Sequence, residues 1–383
     1  MLQWIRNNIK GDPIIWMVVL MLSLVGVLAV YSSVGTLAFA KRGGNTEYFL
    51  IKHVGILLVG VFIMWMAHLV DFNYYSRPAQ FLIYLAIGFL LYTLFFGATI
   101  NSAGRWVPIP FIGLTFQPSD LAKLALILYL ARFLSKKQTT IGNLKSTLVP
   151  ALVVILITCG LIAPADLSTA LVLFATSFLL LFIGRIPMKY LFALVGIGAI
   201  GLTLMIAFLL NTEMKRGRIQ TWKARIENYM DFAQGEADVE SYQNEQAKIA
   251  IAQGGILGKG AGKSTQRNFL PSPYADFIFA IIVEEYGLVG GLVLIVLYLL
   301  LLFRTVKIVV RTPKAFGALL AVGLSFSLVI QALINMGVAV HLFPVTGLPM
   351  PLVSMGGTSL IFTSIALGII LSVSRTDTFE IEE

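Results

Sequence analysis

One carboxylate in this sequence stands where chemistry at a membrane boundary would need it. Asp276 lies in the stretch Leu270–Gly287, LPSPYADFIFAIIVEEYG, between a turn marked by Pro271 and Pro273 and an apolar run beginning at Phe277. Proline breaks regular helix, so the chain turns in water and then enters an apolar phase. A carboxylate at that junction keeps its charge, meets a polar head group and still lies beside lipid. Glu284 and Glu285 follow on the same run, and their expected role is structural, pairing with basic residues of the preceding loop.

Charges at membrane depth are costly and usually functional. Asp120 and Lys123, in QPSDLAKL, are three apart and share a helical face. Two readings stay open there: an ion pair that fixes helix packing, and a carboxylate and ammonium that line a cavity. Asp166, in PADLSTA, is a natural N-cap for the helix after it. His53, His68 and His341 stand near the ends of apolar runs and read as packing residues. His68 with Asp71 supplies too few ligands for a protein-held zinc, and no metal site is assigned. GAGKS, Gly260–Ser264, imitates a phosphate loop but has Leu257 where that motif requires glycine, and no strand precedes it. Gly287 and Gly291 form a GxxxG that allows close helix packing. The segment His341–Gly357, HLFPVTGLPMPLVSMGG, is irregular yet apolar. With Pro344, Pro349 and Pro351 it reads as a half-buried cavity wall on the same side as Asp276.

The elements that must hold these residues follow from composition. The 383 residues are 58% hydrophobic and 12% charged, with mean hydropathy +0.87. Soluble domains run at about 45–50% apolar and about 25% charged, so the chain is a polytopic membrane protein. A span needs about 20 apolar residues. That ruler gives ten: 14–35, 49–70, 78–98, 117–134, 147–164, 168–184, 188–211, 277–303, 316–340 and 352–374, the eighth long and interrupted at Glu284-Glu285, so that its outer piece reads as a separate short helix or a re-entrant turn. The first is too long for the core of a cleaved signal and reads as a signal anchor. The expected fold is an all-α bundle, one integral domain over 1–383.

Net charge is +9, with pI about 9.5. Basic residues concentrate in loops on one side, among them Arg6, Lys10, Arg132, Lys136 and Lys314, while the opposite short loops hold only Lys41, Arg42, Lys52 and Arg105. By the positive-inside rule both termini are cytoplasmic, and the charge needs no nucleic-acid partner. The loop over 211–275 is then extracytoplasmic. Within it Glu213–Phe232 has the period of a basic amphipathic helix, suited equally to the membrane interface and to packing on the bundle; Gly235–Asp238 reads as a turn and Val239–Ala252 as a second helix. A short acidic tail ends the chain at 375–383. Cys159 is the one cysteine, which rules out an intrachain disulfide.

The chain resembles the SEDS family (shape, elongation, division and sporulation) of peptidoglycan glycosyltransferases. The likeness spans nearly the whole length: Arg105-Trp106, QPSDLAK, DLSTA at Asp166–Ala170, GKGAGKSTQ at Gly258–Gln266, the Asp276 stretch, and FPVTGLPMPLVSMGGTS at Phe343–Ser359. Its form is nearer the division members than the elongation members. Three positions depart from the family pattern: Asp120 stands for a usual Glu, Ala275 for a Thr, and Met355 for an aromatic.

The resemblance implies polymerisation of lipid II, a disaccharide-pentapeptide on undecaprenyl pyrophosphate, with Asp276 as base. Arg105, Lys263 and Arg267, with Lys123 from within the bundle, are then the cations that meet the pyrophosphate, and a divalent cation could assist. The family further implies a class B penicillin-binding transpeptidase and other division proteins as partners, and a place in the cytoplasmic membrane at the septum. Two other classes fit the composition: a transporter of the lipid-linked precursor, since buried charges and a broken loop suit alternating access, and a scaffold that recruits an enzyme. An acid at the water boundary favours chemistry over a midplane transport site.

Overall fold

In lipid, backbone groups find partners only within their own helix, so long apolar runs become helices. The computed structural model describes residues 10–100, 103–108, 115–211 and 239–375. Its principal helices are α1 (Pro13–Ser33), α2 (Thr46–Leu69), α3 (Ala79–Phe96), α4 (Pro118–Lys136), α5 (Val149–Ile162), α6 (Leu167–Ile183), α7 (Met188–Asn211), α8 (Val239–Gly254), α9 (Ile278–Arg311), α10 (Ala315–Ala339) and α11 (Thr358–Ser374). Among the described residues six segments are long and apolar enough to cross a membrane: α1, α2, α3, Leu144–Ile162, α9 and α10. Shorter apolar helices cover Leu167–Ile183, Met188–Gly198 and Thr358–Ser374. The protein is a multi-pass membrane protein. The expected helix over Glu213–Phe232, the turn Gly235–Asp238 and the tail beyond Arg375 lie outside the described residues.

Local chemistry sets the ends of these helices. Asp12 caps α1, its carboxylate accepting from the N–H of Ile14 at 2.9 Å and Ile15 at 3.3 Å, with Pro13 in the first turn. The same carboxylate pairs with Arg304 of α9, and the Asp12 N–H donates to Ser374 of α11. One residue thus joins three helices at the end of the bundle away from Asp276. Asp166 caps α6 as expected, accepting from the Thr169 N–H at 3.0 Å. Central in the bundle, α10 packs against α4, α6, α9 and α11, while α11 also packs along α2.

Three features depart from the sequence expectation. Three short strands join α3 to α4: β1 (Ala98–Ile100), β2 (Ala103–Pro108) and β3 (Thr115–Phe116), all antiparallel in the order β1-β2-β3. The bundle is therefore helical with a small sheet at one end, and Arg105 lies on β2. Next, α11 starts at Thr358 and not at 352, because the proline-rich stretch stays irregular through Gly357, whose φ is 52°. Finally, α9 has 34 residues, about 51 Å at 1.5 Å per residue, against a lipid core of about 30 Å. The departure is its run on to Arg311, beyond the expected 303, whereas its break at Gly287 (φ 69°, ψ −171°) sets Ile278–Tyr286 off as the separate outer piece that the sequence led one to expect.

Candidate active site

Asp276 occupies the last turn before α9 and is half-buried. Its peptide is held from outside its own segment. Three consecutive carbonyls are each taken by a donor: Tyr274 by the Met355 N–H at 3.0 Å, Ala275 by the Ser354 hydroxyl at 2.8 Å, and Asp276 by the Asn335 amide at 3.1 Å. Two of these donors belong to the proline-rich segment and the third to α10. The expected facing wall is thus bonded directly to the turn that carries the acid. Beside it, the phenol of Tyr274 is pushed above its ordinary range, first by burial and then by the negative charge of Asp276.

Glu284 and Glu285 do different work. Both are fully buried on the outer piece of α9. Glu284 collects the Lys259 ammonium at 2.6 Å, the Thr265 hydroxyl at 2.8 Å, the N–H groups of Thr265 at 3.0 Å and Gln266 at 3.3 Å, and the Ser264 hydroxyl. Glu285 accepts from the Ser32 hydroxyl of α1 and from the Ser264 N–H at 3.2 Å. The expected pairing with a basic loop residue holds for Glu284 through Lys259, whereas Glu285 is held by a serine hydroxyl of α1 and a loop N–H. The glycine-rich segment before them serves the same contact. A Cβ on Gly258 would stand 2.2 Å from the Glu285 carbonyl oxygen, and one on Gly287 would stand 2.1 Å from that of Ile256. These glycines let the loop lie on the kink of α9.

Asp120 and Lys123 form their ion pair at 2.8 Å, buried between α4, α10 and α11. The two readings of this pair coincide, since it also lines a small polar cavity with Ser327, Gln331 and Thr363. At about 40 Å³ this cavity holds a few waters and no sugar. The larger space lies elsewhere. A groove of about 580 Å³ runs between α6, α10 and the segment Phe343–Leu348, lined by Leu171, Val172, Ile330, Leu333, Ile334 and Pro344. Its lining is almost wholly apolar.

The remaining candidates are distributed around these features. Arg267 is half-buried and donates to the Ser32 carbonyl at 2.9 Å and its hydroxyl at 3.2 Å, which braces the loop against α1. Lys263 is exposed at the tip of the glycine-rich turn. The side chain of Arg105 lies outside the described residues. Pro349 and Pro351 present their carbonyls to the Gln331 amide at 2.7 Å and to the Tyr298 hydroxyl at 2.5 Å. Sequence reasoning missed Gln331, Asn335 and Ser354. A signal existed for the first two: amides four apart in the most apolar part of α10 share one face.

Comparison with known proteins identifies the family. Residues 12–378 match the family model FtsW/RodA/SpoVE, described as cell cycle protein. A probable peptidoglycan glycosyltransferase FtsW of Geobacter sulfurreducens is 32% identical over 370 residues, 95% of each chain. The peptidoglycan glycosyltransferase MrdB of Escherichia coli is 30% identical over 96% of this chain and 94% of its own. Among solved structures, a chain from a peptidoglycan synthase complex that coordinates polymerization and crosslinking superposes with TM-score 0.72 at 28% identity, covering 96% of this chain and 98% of that one. The rod shape determining protein RodA of Thermus thermophilus gives 0.69 at 27% identity, with the same coverage. The fold and the full-length relatives place the chain among membrane-embedded glycosyltransferases. The chain belongs to the FtsW/RodA/SpoVE family, and with it to the peptidoglycan glycosyltransferases.

Proposed function

We propose that this protein polymerises lipid II into glycan strands at the outer face of the cytoplasmic membrane during cell division, with Asp276 as general base. It crosses the membrane ten times with both termini inside, in line with the loop charges. The observation that carries the reading is the three-carbonyl anchoring of the Asp276 turn to the proline-rich wall. A base must sit within about 2.6–3.2 Å of the proton it takes, so its backbone has to be fixed. Asp276 accepts the proton of the acceptor sugar hydroxyl as that oxygen attacks the anomeric carbon of the donor. The bond to the lipid pyrophosphate breaks with inversion, and the pyrophosphate leaves with the electron pair. One base suffices because that leaving group is already good.

The apolar groove beside Phe343–Leu348 suits the isoprenoid tail, since its rim is part of the wall bonded to the Asp276 turn. Lys263, exposed at the tip of the glycine-rich turn, is assigned to the pyrophosphate, and Arg105 joins it on the likeness of Arg105-Trp106 to the family pattern. Among the described residues no three His, Cys, Asp or Glu side chains gather to hold a metal, and no step here passes through one. The likeness to a chain of a synthase complex supports a class B penicillin-binding transpeptidase as partner at the septum.

The test is purified protein with its partner and labelled lipid II. Asp276→Asn is expected to abolish chain growth while the variant remains monodisperse. Equal chain growth by both proteins would refute the base assignment. Lipid II crossing vesicle membranes, with no growth by either, would favour transport instead.

A further inference from the structure

Gln331 and Asn335 stand one turn apart on α10, 4% and 1% exposed. The Asn335 amide nitrogen carries two hydrogens and gives them to two separate segments, the Leu348 carbonyl at 2.8 Å and the Asp276 carbonyl at 3.1 Å. Gln331 gives its amide hydrogen to the next carbonyl, Pro349, at 2.7 Å, and its own oxygen accepts from the Lys123 ammonium at 3.2 Å. Lys123 in turn pairs with Asp120 at 2.8 Å.

We infer that Asn335 and Gln331 are positioning residues for Asp276, and that Lys123 acts through Gln331 and does not touch the substrate. The inference rests on Asp276 being the base. An ammonium is a donor only, so Lys123 obliges Gln331 to turn its oxygen toward α4 and therefore its nitrogen toward Pro349. Asp120 holds that ammonium in place. Without Lys123 the Gln331 amide is free to flip, and the Pro349 carbonyl then faces an oxygen. The proline-rich segment depends on such donors. Pro344, Pro349 and Pro351 have no N–H, the segment makes no ladder of its own, and buried carbonyls left unpaired are costly. Asn335 goes further than satisfying a carbonyl, because it bridges the wall and the peptide of the base with one planar group. The order Asp120, Lys123, Gln331, Pro349 fixes the wall, and Asn335 sets Asp276 against it.

The experiment measures kcat and KM for labelled lipid II in full-length protein with its transpeptidase partner. Asn335→Leu and Gln331→Leu are expected to lower kcat by about 100-fold, the loss a displacement of about 1 Å brings, with KM within about threefold. A merely structural residue would lower the amount of folded enzyme and leave kcat per active molecule unchanged, as counted by partner-bound monodisperse complex. Lys123→Met and Gln331→Leu are then combined. If Lys123 works through Gln331, the double variant loses no more than the worse single one. Losses that multiply would overturn the relay and return Lys123 to the substrate. Should Asn335→Leu fail to fold, Ser354→Ala removes the donor to the Ala275 carbonyl and is read in the same way. Wild-type kcat in that variant, with Asp276→Asn inactive, overturns the positioning role alone. Activity in Asp276→Asn overturns the base reading on which it rests.

Discussion

Glu284→Gln separates a structural acid from a chemical one, and its cost can be worked from the contacts. One carboxylate oxygen receives Lys259, the Thr265 N–H and the Thr265 hydroxyl; the other receives the Ser264 hydroxyl and the Gln266 N–H at 3.3 Å. A glutamine keeps one oxygen for the first set and places an NH₂ against the second. The Ser264 hydroxyl can reverse and accept. The Gln266 N–H straddles both oxygens, at 3.4 and 3.3 Å, and keeps the retained one, but the second hydrogen of the new NH₂ then faces a donor, and a buried donor left unpaired costs about 1–3 kcal/mol. Lys259 also loses its counter-charge, but its side chain is 27% exposed, so that term is held to about 1 kcal/mol. The sum is about 2–4 kcal/mol of lost stability, spent where the loop 254–265 lies on α9. Tryptophan fluorescence on heating in detergent should show a lowered midpoint, and limited proteolysis should cut the glycine-rich turn faster. Glycan synthesis below that midpoint should persist at reduced level. Unchanged unfolding and proteolysis together with abolished synthesis would refute the argument and make Glu284 a reacting group.

Two further outcomes follow from the same contacts. Gly287→Ala would put a Cβ 2.1 Å from the Ile256 carbonyl oxygen and 2.6 Å from the Gly258 nitrogen, both backbone, at a φ of 69°. Strain in that region alone costs about 1–3 kcal/mol, so the variant should accumulate poorly or unfold early in a thermal melt; wild-type behaviour would show that the kink relaxes freely. Tyr274 supplies a pH test. Its folded-state pKa is raised, so its contribution to stability is fully present below the ordinary tyrosine value of about 10 and is lost as pH rises through the higher folded value. The unfolding midpoint should therefore fall more steeply above pH ~10 in wild type than in Tyr274→Phe. Asp276→Asn should bring the phenol back toward its usual range in a spectrophotometric titration. No movement would mean that the acid does not face the ring.

How much of this was legible beforehand depends on the range of the interaction. Helices that depend on local apolar content, such as α1, α7 and α10, fell within three residues of their expected ends. The cap at Asp166 was readable because its partner, the Thr169 N–H, is three residues away. The sheet was not. AGRWVP carries glycine and proline, reads as loop, and forms β2 through pairing with Ala98–Ile100 and Thr115–Phe116. Arg267 and Lys263 looked alike as loop cations, yet one is tied to Ser32, 235 positions earlier in the chain, and the other is exposed. Nothing within the loop distinguishes them. Gln331 and Asn335 hid for the opposite reason, as polar residues inside a run read only for its hydropathy.

The acids of the site are held in two different ways. Every oxygen of Glu284 is occupied by donors supplied from its own loop, and a carboxylate so saturated has no lone pair for an incoming hydroxyl. Burial removes it further from any substrate in water. At Asp276 three donors go to the backbone, on the carbonyls of Tyr274, Ala275 and Asp276 itself. Fixing the peptide places the side chain, which stays half-exposed. A base must lie within about 2.6–3.2 Å of the proton it takes, and anchoring through main-chain carbonyls sets that position from the backbone.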